Sequence, residues 1–214
     1  MPHHKFDFGA FLATITDGVL ALTYPQESTL FSQGTPAEAL FYIENGIVKI
    51  SVRPRRGREA VLAILGRGEF IGHECLAGPT HYISTATTIG ACSLIRVERD
   101  TMVRLLAEHP AFSTSFLAYL LARNARQQED LLDQLLHTSE QRLARALFLL
   151  ARFDTHAQPE AVIPKINQQT LANLVGTTRS RINYFMNRFR EKGLIEYNDG
   201  LHITRSLGSV MLHD

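Results

Sequence analysis

Residues 168–187 read QQTLANLVGTTRSRINYFMN. Leu171, Ala172 and Val175 give a short helix one apolar face, Gly176 allows a tight turn, and Thr177 or Thr178 can cap a following helix. Small Ala172 permits close helix crossing, while Ile182, Phe185 and Phe189 anchor the second helix on the first. An ordinary helical hairpin has no need for a small residue, a turn glycine and apolar anchors at matching offsets. The stretch therefore reads as a helix–turn–helix.

At about 100° per residue the second helix separates into faces. Ile182, Phe185, Met186 and Phe189 cluster on one side; Ser180, Tyr184 and Asn187 point the opposite way. Arg179 and Arg190 lie on one flank, Arg181 and Arg188 on the other. Neutral polar groups between two rows of guanidinium suit a major groove, where the former meet base edges and the latter reach the phosphate walls. From Gly176 to Lys192, Arg179, Arg181, Arg188, Arg190 and Lys192 stand against Glu191 alone, net +4, in a chain whose net charge is +1. The positive field is local. The candidate DNA-reading residues are Gln168, Thr178, Arg179, Ser180, Arg181, Asn183, Tyr184, Asn187 and Arg188.

Beyond Gly193, Leu194–Tyr197 and Leu201–Ile203 read as short strands across an Asn198-Asp199-Gly200 turn, a winged hairpin. Its Tyr197, His202 and Arg205 are placed equally well on backbone phosphate or as plain surface groups. Upstream, Ser139 to Phe153 forms a helix with Leu143, Ala146, Leu147 and Leu150 on one face, followed by a polar loop over 154–160. Ala111 to His137 holds neither Gly nor Pro, and Pro110 suits a first turn, so about 40 Å of continuous helix is expected. Phe116, Leu120, Leu131 and Leu135 are spaced for a seam that Asn124, Gln127 and Gln128 interrupt. A helix this long with a polar break suggests a two-stranded dimer contact.

Before Arg99 the pattern is different. Val19–Tyr24, Ala39–Val52, Glu59–Leu65, Glu69–Gly72, Ser84–Ile89 and Ala91–Val97 are short apolar runs rich in strand formers, divided by glycines, as in a β-barrel or sandwich. Asn45-Gly46 is the strongest hairpin signal among the divisions. Arg53, Arg55, Arg56 and Arg58 crowd a hairpin tip at Gly57, where a solvated turn is the default and a contact with polymerase or DNA the alternative.

With 214 residues, 45% hydrophobic and 20% charged, the chain can fill its cores. No stretch approaches the roughly 18 uninterrupted apolar residues of a membrane span, and Met1-Pro-His-His-Lys lacks the apolar core of a secretory signal, so a cytoplasmic protein without a membrane partner is expected. Cys75 and Cys92 are its two cysteines, too few for a four-cysteine zinc site or an all-cysteine iron–sulfur cluster. No catalytic or metal residue is assigned: Glu74 with His73 or His81 could form an acid–base pair, yet no nucleophile with base and orienter stands at supporting positions.

In this order, a glycine-cornered barrel, a long helix and a winged helix–turn–helix resemble the Crp/Fnr family of bacterial transcription regulators. GRGEFIGHECLAG at 66–78 looks like the family's cyclic-nucleotide cassette, and LANLVGTTRSRINYFMNRFREKGLI at 171–195 like its DNA reader. The resemblance implies an α+β chain with an N-terminal double-stranded β-helix (jelly-roll-like) sensor barrel over 1–110, a dimerisation helix over 111–138 and a DNA-binding domain over 139–214. It further implies a homodimer on double-stranded DNA, with RNA polymerase and a small-molecule effector as partners of that family. Around an effector would stand Gly72, His73, Glu74, Cys75, Leu76, His81, Tyr82, Ile83, Gln127 and Gln128.

Departures from the family pattern change what is expected of the sensor. Cyclic-nucleotide binders place a glutamate after the cassette glycine and an arginine further on; here His73 follows Gly72, and the stretch aligned with the arginine reads Thr80-His81-Tyr82-Ile83. A buried phosphate would lack its cation, a loss of several kcal/mol in general magnitude. Cyclic AMP binding of the usual kind is not expected. Pro2, His73 and Cys75 invite comparison with haem members of the family, although a single His and Cys are more often packing residues than axial ligands. Ser180 and Tyr184 stand where better-known members carry glutamate and arginine, so their operators do not transfer. The alternative is a small-molecule-binding barrel whose C-terminal helices contact protein.

Overall fold

The computed structural model describes residues 6–78, 81–151, 162–163, 166–197 and 200–211. The chain divides into two compact units, Met1–Val52 with Leu65–Gln128, and Arg53–Ile64 with Glu129–Asp214. In order come α1 (Phe8–Leu12), β1 (Val19–Tyr24), β2 (Thr29–Phe31), β3 (Ala39–Asn45), β4 (Val48–Val52), β5 (Ala60–Leu65), β6 (Phe70–Ile71), a 3-10 turn over His73–Ala77, β7 (Thr85–Thr88) and β8 (Cys92–Glu98). Two antiparallel four-stranded sheets result, ordered β1-β8-β3-β6 and β2-β7-β4-β5. The expected run 39–52 breaks into β3 and β4 at Asn45-Gly46, where Gly46 takes φ 94°. Three-residue β2 has no counterpart among the expected strands; its register shifts between Thr29 and Phe31, leaving too little alternation to read.

In the first unit β8 pairs with both β1 and β3, setting Ile43 opposite Leu94 and Leu40 opposite Val97. All four of these side chains are fully buried. Then follow α2 (Arg99–Glu108) and α3 (Pro110–Leu136). The first turns of α3 join an aromatic cluster: Phe70 meets Phe8 and Phe116 edge-on, and Phe112 stacks on Phe11. Phe112 and Phe116 are buried there. Phe116 therefore leaves the outward seam expected of it, because the aromatic cluster offers it more burial than an open helix face. The exposed stripe lies one residue on: Leu117, Leu121, Leu131 and Leu135 are 58–70% exposed. Asn124 and Gln128, both exposed, complete a strict alternation of four- and three-residue steps from 117 to 135.

The second unit holds α4 (Ser139–Ala151), β9 (Val162–Ile163), α5 (Gln168–Val175), α6 (Arg179–Glu191), β10 (Ile195–Tyr197), β11 (Leu201–Ile203) and a 3-10 segment over Arg205–Met211. Leu143, Leu147 and Leu150 of α4, Leu171 and Val175 of α5, Ile182 and Phe189 of α6 and Leu207 form one core. Strands β10-β11-β9 make a three-stranded antiparallel sheet. The last two residues of the helix expected to Phe153, the loop at 154–160, and Asn198-Asp199 of the wing turn lie outside the described residues.

Candidate DNA-reading face and sensor cassette

Local chemistry fixes the α5–α6 corner. Asn167 caps α5 by accepting from the Thr170 amide at 2.8 Å. Gly176 ends it at φ 72°, in the left-handed region where glycine is unstrained. The Thr177 amide donates to Ala172 O at 2.9 Å, and Thr178 Oγ1 accepts from the Arg181 amide at 3.3 Å, starting α6. Ile182, Phe185, Met186 and Phe189 are buried, so the inner face is the one their spacing indicates.

The opposite face is open. Arg179, Ser180, Arg181 and Asn183 are exposed, Tyr184 is 60% exposed, and Asn187 is half-buried. Two of the candidates have partners within the unit. Arg188 Nη1 donates to Glu140 Oε2 of α4 at 3.1 Å, and Gln168 Nε2 donates to Asn183 Oδ1 at 3.4 Å. Arg181 lies over the Phe185 ring at 5.8 Å. Thr178 is engaged as the cap. What remains outermost is a stripe of Ser180, Tyr184 and Asn187 flanked by Arg179 and Arg181, a set of donors and acceptors able to meet base edges with cations beside it. In the wing, Tyr197 is 53% exposed, and the Arg205 side chain lies outside the described residues.

The cassette is built from its own side chains. Gly72 has φ 74°, and a Cβ there would come within 3.1 Å of Tyr82 Cε1 and 3.3 Å of Ala39 O, so both backbone conformation and space require glycine. Tyr82 is buried, its ring stacked on Phe31 at 3.9 Å between centroids, its hydroxyl donating to Ala39 O. The position aligned with a phosphate-binding cation thus holds an uncharged aromatic ring packed against the cassette glycine. Burial raises the Tyr82 hydroxyl above its ordinary pKa. His73, Glu74, Cys75 and Leu76 share the 3-10 turn. Burial, with the Arg123 charge second, lowers His73 to about 4, and its Nδ1 is buried without a hydrogen-bond partner among the described residues. Cys75 is fully buried and pushed up to about 11 by burial, then by Glu74, which makes it an inert thiol. His81 and Ile83 are exposed, as are Gln127 and Gln128 on α3. Thr80 and Pro2 lie outside the described residues. Among those described, no group of three or more His, Cys, Asp or Glu could hold a metal, and no helix is long and apolar enough to cross a membrane.

Two constellations escaped the sequence reading. Tyr119 Oη donates to Glu69 Oε2 and accepts from the Phe70 amide, both at 2.8 Å; Arg123 Nη1 donates to Phe70 O at 2.8 Å, and Arg126 Nη2 pairs with Glu69 Oε1 at 3.1 Å. These bonds bind α3 to β6 at the cassette's doorstep. Burial, opposed by Arg123 and assisted by Glu69, raises Tyr119 to about 12. The signal was the i, i+4 pair Tyr119 and Arg123 on the side away from the leucines. In the second unit, Arg142 Nε donates to Val175 O at 3.0 Å while its Nη1 reaches His137 O at 2.9 Å and Gln134 O at 3.2 Å. One guanidinium so satisfies terminal carbonyls of α3 and α5.

Comparison with known proteins covers both units. Residues 21–109 match the cyclic nucleotide-binding domain family and residues 141–206 the Crp-like helix-turn-helix domain family. Over 186 residues the chain is 31% identical to the CRP-like cAMP-activated global transcriptional regulator of Mycobacterium tuberculosis, spanning 86% of this chain and 83% of that one. It is 29% identical over 178 residues to the cyclic AMP receptor protein of Thermus thermophilus, spanning 83% and 80%. Among solved structures, FixK2 from Bradyrhizobium japonicum superposes with a TM-score of 0.79 at 15% identity, covering 92% of this chain and 97% of that one, a likeness of fold.

Proposed function

Since this chain belongs to the Crp family of DNA-binding transcription regulators, which are not enzymes, we propose that it acts as a homodimer reading a two-fold-related site through α6. The carrying observation is the sorting of α6: its aromatic side is sealed inward and Ser180, Tyr184 and Asn187 stand outward between arginines. Arg179, Arg181 and the first turn of α6 then meet phosphate, and Asn183, Tyr184 and Asn187 reach base edges. Gln168, Thr178 and Arg188 act behind them, the first two holding neighbouring side chains or the cap, and Arg188 tying α6 to α4.

Dimerisation rests on the outward stripe of α3. Leu117, Leu121, Leu131 and Leu135 at alternating four- and three-residue steps suit a two-stranded seam, with Asn124 and Gln128 fixing its register. Residues 1–110 serve as the sensor domain, 111–138 as the coupling helix and 139–214 as the DNA-binding domain. The working compartment is the cytoplasm. Signals from the cassette reach α3 through the Glu69–Tyr119–Arg123 bonds.

The relatives of M. tuberculosis and T. thermophilus carry cyclic AMP in their names, but the cassette here argues for a different effector. Tyr82 fills the place of the phosphate's cation, and His73 follows Gly72 where a ribose-binding carboxylate is usual. A haem is disfavoured by the same residues: Cys75 is buried and raised, and His73 is packed beside Arg123. The sensor is therefore assigned to a small molecule recognised without a phosphate clamp.

The test has three readouts on the full chain. Sedimentation should give twice the 24.0 kDa chain mass. The affinity for a selected duplex should fall steeply with salt, since each neutralised phosphate contributes about 0.9 to the log–log slope. Calorimetry with millimolar cyclic AMP should show no binding. A monomer, a salt-insensitive interaction or tight cyclic AMP binding would each overturn the corresponding part.

A further inference from the structure

We propose that the arginine-rich hairpin tip between β4 and β5 is a second DNA contact, clamping the phosphate backbone beside the first turn of α6. The proposal rests on the DNA-reading role of α6 and extends the interface to residues outside the helix–turn–helix. Arg53, Arg55, Arg56 and Arg58 are all exposed, and no acidic residue interrupts them. The hairpin belongs to the same compact unit as α5 and α6. It flanks the reading corner directly: Arg53, Arg58 and Glu59 line one cleft of about 700 Å³ with Asn173, Arg179 and Ser180. Asn173 Nδ2 donates to Glu59 Oε2 at 3.4 Å, which fixes the base of the hairpin against the outer side of α5.

The chemistry of this cleft selects its occupant. Three guanidinium groups from two separate elements stand against a single carboxylate, and that carboxylate is already accepting from Asn173. Amides of the first turn of α6 open onto the same space, and helix N-terminal amides favour anionic oxygen. A phosphodiester strand running past the N-terminus of a groove-inserted helix supplies oxygens on the repeat that such a row of cations needs. Arginine also binds phosphate in a two-pronged fashion that lysine does not. An acidic protein surface, such as one on polymerase, would use the charge but not the adjacency to Arg179 and Ser180. Burying α6 from DNA would be the reverse arrangement, with the hairpin as a cover.

The test uses the full-length protein and two duplexes, one selected and one unrelated, with the double variant Arg53→Ala/Arg58→Ala. The expected result is an equal loss of affinity on both duplexes, tens-fold at about 0.1 M salt, with the salt slope reduced by about 2 for two lost phosphate contacts. Arg53→Lys/Arg58→Lys should restore most of the slope, and both variants should keep the parent's thermal midpoint because the replaced side chains are exposed. Unchanged affinity and slope overturn the proposal; if transcription with purified polymerase nonetheless falls, the hairpin contacts protein. Higher affinity overturns it in favour of a cover over α6. If the unaltered protein binds neither duplex, the DNA-reading role of α6 fails, and this proposal with it.

Discussion

The outer face of α6 and the cassette at 72–83 are built on opposite principles. On α6 every apolar residue is spent on support, and the polar groups stand outward, ready to meet a partner. In the cassette, Tyr82, Phe31 and Cys75 turn inward and use the space themselves. A partner of α6 needs no rearrangement of the core, whereas an effector at the cassette must displace or skirt a packed ring. The DNA reader has kept the chemistry of its family, and the sensor has exchanged charge recognition for packing.

The comparison can be broken most forcefully at its support. Phe189→Ala empties a fully buried site in α6 and should cost about 3–5 kcal/mol of stability. In denaturant titrations it should abolish DNA binding well before the first unit unfolds; retention of binding would show that α6 does not depend on this core. Arg142→Ala removes hydrogen bonds to Val175, His137 and Gln134 carbonyls and should cost about 1.5–3 kcal/mol, the range for bonds with a charged donor. Thermal melting checks it, and a shift confined to the second unit is expected.

Less stability but more specificity is at stake on the outer face. Tyr184→Ala and Asn187→Ala should each lose about 1–3 kcal/mol of discrimination between the selected site and base-substituted versions. Their melting midpoint should stay near the parent's, since Tyr184 is largely exposed. Equal loss on all sequences would reduce these residues to backbone contacts.

The smallest effect belongs to the cassette. His73 is held at about 4, below the 6.5 ordinary for histidine. The unfolded chain therefore takes up a proton between these values that the folded chain refuses, and stability is lost as pH falls from 6.5 towards 4. His73→Gln should flatten that part of the melting profile, by roughly 2–4 °C for a chain of this size. An unaltered profile would mean that His73 titrates freely.

The two regions were also unequally legible. Helical period placed Ile182, Phe185 and Phe189 inward, and Gly176 with Thr178 marked the corner, because all of this is local. The long helix was legible to within one residue at each end, but its outward register was not. Phe116 was drawn into the cluster around Phe70 by a contact 46 residues distant in sequence, so the seam moved to Leu117 and Leu121. Tyr82 shows the same limit. Its partner Phe31 sits on a three-residue strand with a register shift, which leaves no periodic trace. Arg188 looked like a phosphate contact by angle, while its carboxylate partner Glu140 lies on a different helix. Charge on a helix face reveals direction; long-range pairing decides what the charge does.

Selection from a pool of random duplexes by the full-length protein tests the central claim most directly. The account predicts enrichment of an inverted repeat whose half-sites lie about 34 Å apart, one helical turn, with preference at matched positions of both half-sites shifting in Asn187→Ala. Enrichment of no motif, or of a motif indifferent to Ser180, Tyr184 and Asn187, would contradict it.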